Sequence, residues 1–207
     1  MDEDLLLLII SSPSGAGKTT LTRDLLERHP ALAFSVSHTT RKPRDGEVSG
    51  RDYHFVDRAT FDSLVERKAF AEWAEVHGNR YGTALSEIER CRDEGKRGIV
   101  FDIDYQGAAQ IKAARSDAVG VFVLPPSMGE LKERLQRRAS DDADTIERRF
   151  KNAKREIEHY GEFDYVIVND DLEQAKARLN AIVLAEQSRR ERMAGRAKDL
   201  LQASRDD

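Results

Sequence analysis

Four apolar runs divide the chain, and a segment with helical spacing follows each of them. They read LLLLIISS from residue 5, GIVFDID from 98, VGVFVLP from 119 and DYVIVND from 164. Uninterrupted apolar runs of this length are typical of strands buried inside a parallel sheet. After the first run, Leu21, Leu25 and Leu26 share one face of a predicted helix, which ends before Pro30. The alternation predicts an α/β fold, a doubly wound parallel sheet flanked by helices.

Two regions do not follow this alternation of apolar strands and helices. One, at 37–82, has short strand-like pieces such as YHFV and FAEWAEV among many Arg, Tyr and Gly residues. The other, at 127–157, is predicted to be helical and arginine-rich, and Ser127 with Glu130 forms a capping box at its start. We therefore expect one domain over 4–184, consisting of a core at 4–36, 83–126 and 158–184 and the two interrupting regions, before a charged helical tail at 185–207.

Composition narrows the class of protein. The chain has 207 residues, 39% of them hydrophobic and 35% charged, and a net charge of −4. This balance is typical of a soluble globular domain and argues against a general nucleic-acid-binding protein. Cys91 is the only cysteine, which excludes an internal disulfide and suits a reducing compartment; we expect it to pack as a small apolar side chain. The run Leu5–Ile10 is too short to cross a bilayer. We expect a cytoplasmic protein that binds neither nucleic acid nor membranes, and its oligomeric state stays open.

The segment SSPSGAGKTT, at 11–20, matches the phosphate-loop pattern G-x-x-x-x-G-K-[ST] except that Ser12 replaces the first glycine. Such a loop directs backbone N–H groups and a helix N-terminus at phosphate oxygens. Lys18, expected to be exposed in the loop, would reach the β- and γ-phosphates of a nucleotide, and Thr19 would offer its hydroxyl to Mg²⁺. A plain Ser/Gly turn is the alternative, but the flanking strand and helix favour a nucleotide site. The predicted ATP-binding residues here are Ser12, Pro13, Ser14, Gly15, Ala16, Gly17, Lys18, Thr19 and Thr20.

A GTPase is one alternative reading of this loop. The sequence DYQG at 104–107 fits the D-x-x-G motif that GTPases place after a strand. No N-K-x-D motif for reading the base follows it, and VNDD at 168–171 lacks the lysine. The sequence therefore lacks the motif with which a GTPase binds its base.

Several longer segments resemble guanylate kinases, in the same order along the chain. They are SVSHTTRKPRDGEVSGRDYHFV from residue 35, EWAEVHGNRYGT from 72, DIDYQG from 102, RLQRRASDDADTIERRF from 134 and VIVNDDLEQA from 166. The resemblance extends from Leu5 to about Leu184. It implies a P-loop NTPase-type sheet core, a GMP-binding region at 37–82 and a helical lid at 127–157. It also implies Mg²⁺-dependent transfer of the ATP γ-phosphoryl group to GMP, giving ADP and GDP, in purine nucleotide metabolism.

The residues of the first inserted region suit a nucleoside monophosphate. Its dianionic phosphate can be held by the forked guanidinium groups of arginine and by phenol hydroxyls. Guanine presents N1–H and N2–H₂ donors beside the O6 acceptor, so carboxylates are the matching partners for the donors. The phosphate candidates are Arg41, Arg44, Tyr53 and Tyr81, and the base candidates are Glu72 and Asp104, with the hydroxyls of Ser37 and Thr83. Thr83 could also act as the N-cap of the helix that follows.

Other assignments come from the resemblance. It implies that Arg134, Arg138 and Arg149 move onto the ATP phosphates and that Asn169 lies near the adenine. Arg137 and Arg148 stay unassigned, because an arbitrary run of charges is usually a solvated helix face. Asp102 either contacts Mg²⁺ through a water or organises the acceptor. Because Asp102 and Asp104 lie two residues apart, we expect them to share one face of a strand at its carboxyl end. The predicted catalytic residues are Lys18, Arg41, Arg138 and Arg149.

No general base is needed in this chemistry, because the attacking phosphate oxygen is already ionised, its second pKa being about 6. Two further readings stay open: a non-catalytic scaffold domain of this family, and a kinase of another phosphorylated acceptor such as dTMP or a sugar bisphosphate. The intact phosphate loop argues against the first, and the set of Glu72, Thr83 and Asp104 argues against the second. ATP and GMP are the expected substrates, with dGMP as a further expected acceptor.

Overall fold

The central element of the computed structural model, which describes residues 5–76, 78–137 and 143–203, is a parallel sheet. Its strands in these ranges are β1 (Leu6–Ser11), β2 (Leu32–Phe34), β7 (Gly98–Asp102), β8 (Val119–Leu124) and β9 (Tyr165–Val168). These five strands pair in the order β2-β7-β1-β8-β9. The predicted α/β class with a parallel core is confirmed.

The middle strand β1 shows why the apolar run forms a buried strand. Its residues from Leu6 to Ile10 have no solvent exposure, and alternate side chains enter opposite faces of the sheet. Leu6, Leu8 and Ile10 pack in one cluster with helices α1 (Lys18–Arg28) and α7 (Leu172–Gln187). Leu7 and Ile9 pack in a second cluster with helices α3 (Leu85–Asp93) and α4 (Tyr105–Ala114). The sheet is therefore covered on both faces, as its apolar strands require.

A second sheet lies in the first inserted region. Within the described residues its strand order is β4-β3-β6-β5, with β3 and β4 parallel and the other pairs antiparallel. Its elements are β3 (His38–Thr39), β4 (His54–Phe55), helix α2 (Arg58–Glu66), β5 (Phe70–Val76) and β6 (Asn79–Ala84). The sequence predicts β4 and β5 but not β3 or β6. Strand β6 reads NRYGTA, which lacks the apolar alternation that identifies a strand.

The second inserted region is helical, as predicted. It contains α5 (Met128–Gln136) and α6 (Ala143–Glu158), followed by a short 3-10 helix at His159–Glu162. The Ser127 hydroxyl accepts a hydrogen bond from the Glu130 backbone N–H at 3.1 Å, which is half of the predicted capping box. Leu131, Leu135 and Ala153 join the two helices in a small buried cluster.

Two features of the core can be compared with the predictions from the sequence. Strand β9 lies at the edge of the sheet, so Val166 and Val168 are 44% and 36% exposed; the prediction that this run is fully buried is wrong. Cys91 is buried and its thiol donates to the Gly98 carbonyl at 3.3 Å, as expected for a packed side chain.

The C-terminal helix α8 (Arg190–Ala203) is described in full and buries none of its side chains. Within the described ranges, no helix combines the length and the apolar character that a bilayer crossing demands.

Candidate active site

The phosphate loop joins the carboxyl end of β1 to the first turn of α1. Gly15 and Gly17 have φ angles of +94° and +100°, a left-handed conformation that side chains with a Cβ rarely adopt. A Cβ at Gly15 would also lie 3.1 Å from Leu131 Cδ1, because α5 packs directly against the loop. Glycine is therefore required at both positions, as the motif predicts.

Lys18 is the first residue of α1. Its ammonium group is expected from the sequence to be exposed, but most of the side chain is buried. It forms an ion pair with Asp102, and each of the two side chains is only 20% exposed. Nζ also donates to the Ile103 carbonyl at 3.4 Å. Burial acts against the charged form of Lys18, but the Asp102 carboxylate outweighs this effect and raises the pKa of Lys18. Lys18 therefore stays a cation at the mouth of the loop.

Asn169, which follows the last residue of β9, contacts the backbone of the phosphate loop. It is 5% exposed, and its Nδ2 donates to the Ala16 carbonyl at 2.7 Å. Arg134 of α5 reaches the same place, at 3.5 Å from the Ala16 carbonyl and 3.4 Å from the Asn169 carbonyl. The amide of Asn169 thus holds the loop backbone, and its contact with adenine stays a prediction.

Of the other arginines named from the sequence in the second inserted region, the structure describes Arg137, Arg148 and Arg149. Arg138 lies outside the described residues. Arg149 lies half-buried on α6, and Arg148 lies exposed beside it. Arg137 is paired with Glu133 at 3.1 Å, with 73% of its side chain exposed.

Glu156, on α6, is a site residue that sequence reasoning missed. Burial raises the pKa of its carboxyl, while the Ser14 backbone N–H and the Lys18 charge act in the opposite direction. A carboxylate of α6 therefore faces the phosphate loop. The sequence gives no signal for it, since Glu156 is one of many charges on a strongly amphipathic helix.

A cleft lies between the loop and the second sheet, and most of the predicted acceptor residues line it. These are Ser37, Tyr53, Glu72, Tyr81 and Asp104, together with Lys18 and Asp102. Strand β7 ends at Asp102, while Asp104 is the N-cap of α4, so the prediction that both share a strand face is wrong. Both carboxylates nevertheless point to one cleft.

Glu72 is a buried carboxylate at this cleft. It is 3% exposed, and its Oε1 accepts from the Thr83 backbone N–H at 2.8 Å. Burial is the largest cause that raises the pKa of Glu72, to about 7, and the Asp104 charge adds to it. The Thr83 hydroxyl lies 3.1 Å from the Ser37 hydroxyl. Thr83 is buried in β6 and is not an N-cap, because Ala84 occupies that position in α3.

Arg41 and Arg44 belong to the loop between β3 and β4. Arg41 makes a two-pronged ion pair with Glu47, at 2.8 and 3.0 Å, and this contact raises the pKa of Arg41. Its guanidinium carbon lies 5.3 Å from the centre of the Tyr53 ring. The exposed Arg44 donates its backbone N–H to Glu47 at 2.7 Å. Glu47 is not identified in the sequence analysis, and its carboxylate fixes the position of the forked Arg41 cation.

The family comparison agrees with this geometry. The guanylate kinase family model matches residues 5–186. The chain belongs to the guanylate kinase family. A guanylate kinase from Mesorhizobium japonicum is 52% identical over 191 residues, 92% of this chain and 87% of the relative. One from Aromatoleum aromaticum is 54% identical over 183 residues, 88% of this chain and 89% of the relative.

A solved structure agrees as well. The crystal structure of guanylate kinase from Anaplasma phagocytophilum has a TM-score of 0.76 at 38% identity, covering 92% of this chain and 90% of that one. The resemblance in the sequence is confirmed, and the chain is an ATP:GMP phosphotransferase, a nucleoside monophosphate kinase.

We predict that GMP binding is coupled to deprotonation of Glu72. The pKa of Glu72 is raised to about 7, and only the carboxylate can accept from both N1–H and N2–H₂ of guanine. The apparent affinity for GMP should therefore rise about tenfold from pH 6 to pH 8 and level off above that. Calorimetric titrations with GMP across this range measure the effect.

Glu72→Gln is the control for this titration, because the phosphate of GMP also titrates, with a second pKa of about 6. The variant should keep the contribution of the phosphate and lose the rise around pH 7. An identical rise in both proteins would assign the titration to another group.

Proposed function

We propose that the enzyme holds ATP on the phosphate loop and GMP in the adjoining cleft, and transfers the γ-phosphoryl group in line between them. The observation that carries this proposal is that Lys18 and Glu72 line one cleft. A cation suited to phosphate and a buried acceptor suited to guanine thus share a single space. This arrangement supports a phosphoryl transfer whose acceptor is selected by its base.

On the donor side, the N–H groups of the phosphate loop and the ammonium of Lys18 bind the β- and γ-phosphates of ATP. Lys18 moves from Asp102 to the phosphates when ATP binds. Arg134 already lies at the loop, 3.5 Å from the Ala16 carbonyl. We propose that Arg138 and Arg149 stabilise the negative charge that develops on the phosphoryl group during transfer. This role is the one that the family resemblance implies.

On the acceptor side, one group of residues binds the phosphate of GMP and another binds its base. Arg41 and Arg44 hold the GMP phosphate, which displaces Glu47 from the guanidinium of Arg41. Glu72 and Asp104 accept hydrogen bonds from N1–H and N2–H₂ of guanine. The remaining acceptor residues, which supply hydroxyl groups to the phosphate or to O6, are Tyr53, Tyr81, Ser37 and Thr83.

The residues present fit the Mg²⁺ that the family implies. A hydroxyl on the exposed Thr19 and a carboxylate on Asp102 are hard oxygen donors, which Mg²⁺ prefers. Among the described residues no group of three or more His, Cys, Asp or Glu could hold a metal ion, so phosphate and water oxygens would supply the other ligands. When bound, Mg²⁺ would neutralise charge on the β- and γ-phosphates.

Catalysis then consists of positioning and charge stabilisation. The attacking oxygen of GMP is ionised near neutral pH, so no residue needs to remove a proton. Closure of the lid at 127–157 and of the GMP-binding region at 37–82 over the core excludes water, which would otherwise hydrolyse ATP. We also propose a cytoplasmic location, and dGMP as a second acceptor.

Lys18→Ala should abolish transfer, because no other group in the loop supplies a cation to the β- and γ-phosphates. Coupled measurement of ADP release with saturating GMP gives kcat, and a thermal melt shows whether the variant is folded. If a folded variant kept more than about a tenth of the wild-type kcat, the phosphate-loop mechanism would be wrong.

Arg41→Met should raise the KM for GMP and leave the KM for ATP unchanged. Loss of a charge-assisted pair is worth about 1.5–3 kcal/mol, which corresponds to about 10- to 150-fold. Arg51→Met is the matched control, since Arg51 lies in the same loop and pairs with Asp52 with 65% of its side chain exposed. Equal losses for both nucleotides would remove Arg41 from the acceptor site.

A further inference from the structure

Helix α4 approaches the Glu72 carboxylate most closely at a glycine. Gly107 is buried, and a Cβ built on it would lie 3.0 Å from Glu72 Cδ and would overlap Oε2. The same Cβ would lie 3.2 Å from Ile103 Cδ1, so it could not avoid the carboxylate by a small shift of the helix. The carboxylate of Glu72 therefore occupies the space that any side chain at 107 would need.

The backbone alone does not explain this glycine. Gly107 is the third residue of α4 and has an ordinary helical conformation, unlike the left-handed Gly15 and Gly17. Glycine in a helix is less favourable than alanine, because it loses more conformational freedom on folding. Local helix stability thus favours alanine at 107, and the contact with Glu72 opposes it.

The backbone of Glu72 cannot move away from the helix, because its strand is fixed to the same helix one turn further on. The Gln110 side chain accepts from the Trp73 backbone N–H at 3.1 Å and donates to the Trp73 carbonyl at 2.7 Å. On the other side, Oε1 of Glu72 is held by the Thr83 N–H at 2.8 Å. The backbone is thus fixed, so an added Cβ at position 107 would displace the carboxylate rather than the strand.

Gly107 also fixes the second carboxylate of the pocket. Its N–H donates to Asp104 Oδ1 at 3.0 Å, in the N-cap of α4. One residue therefore sets the positions of both acceptors, through its backbone N–H for Asp104 and through its missing side chain for Glu72.

We propose that Gly107 is a positioning residue that determines base specificity: the absence of a side chain fixes the depth at which Glu72 meets the amino edge of guanine. This inference rests on the proposed role of Glu72 in binding the base. GMP offers both N1–H and N2–H₂ to these carboxylates, whereas inosine monophosphate (IMP) offers N1–H alone. A displaced Glu72 carboxylate therefore harms GMP more than IMP.

The test is Gly107→Ala, with kcat and KM measured for GMP, IMP and ATP and with a thermal melt. We expect kcat/KM for GMP to fall about tenfold or more, the GMP-to-IMP ratio to narrow, and the KM for ATP to stay at its wild-type value, while the melt shows that the variant is folded. Gly161→Ala is the control. Gly161 is exposed in the short 3-10 helix at His159–Glu162, outside both inserted regions, and an added Cβ there would meet no atom within 4 Å. This control should leave kcat/KM for GMP, the GMP-to-IMP ratio and the KM for ATP unchanged.

A double-mutant cycle isolates the contact. Glu72→Asp shortens the side chain by one methylene and withdraws the carboxylate from position 107. We therefore expect Gly107→Ala to cost several-fold less in GMP kcat/KM in the Glu72→Asp background than in the wild type. Equal costs in both backgrounds would overturn the inference, as would a parallel loss for GMP and ATP.

Glu72→Gln separates this inference from the function on which it rests. If Glu72→Gln leaves the GMP-to-IMP ratio unchanged, the base-binding role of Glu72 fails. If Glu72→Gln narrows the ratio but Gly107→Ala does not, that role stands and the inference about Gly107 is overturned.

Discussion

The acceptor site depends on a carboxylate that is buried before its ligand arrives. Glu72 is 3% exposed and has a single backbone donor, the Thr83 N–H, among the hydrogen bonds described for it. Its pKa is raised to about 7 from 4.5, so the folded protein binds this proton more tightly than the unfolded chain does. Ionisation of Glu72 therefore lowers the free energy of unfolding progressively as the pH rises from 4.5 to about 7. Above pH 7 this loss of stability stays constant. In the proposed complex the N–H donors of guanine would offset that loss, and this would make the buried carboxylate selective for the base.

The donor and acceptor sites meet because of the strand order. Strands β1 and β7 are parallel neighbours with Ile10 opposite Asp102, so the loop after β1 and the end of β7 lie at the same edge of the sheet. The ion pair of Lys18 with Asp102 is the direct consequence. Helix α5 packs its leucines on Gly15, and the Arg134 guanidinium reaches the loop, so a movement of α5 would be transmitted to the phosphate loop.

Much of this could be predicted from the sequence, because the signals are local. The apolar runs identify the core strands other than the short β2, and the glycines of the phosphate loop identify its left-handed turns. The acceptor residues Ser37, Tyr53, Glu72, Tyr81 and Asp104 do line one cleft. What the sequence does not reveal is set by contacts between distant segments. The pairing of Lys18 with Asp102, the docking of Asn169 on Ala16 and the contact of Gly107 with Glu72 each join residues that lie far apart in the chain.

The central claim is that buried carboxylates choose the acceptor by its hydrogen-bond donors, and an acceptor panel tests it most directly. ADP release by the wild-type enzyme would be measured with ATP and each of GMP, IMP, AMP, CMP, UMP and dTMP. The account predicts that GMP is used best, that IMP is used with a lower kcat/KM because it lacks the amino group, and that the others are nearly inert. Adenine places an acceptor where Glu72 needs a donor, and each such mismatch costs about 1–3 kcal/mol. Use of AMP as efficiently as GMP would contradict the account.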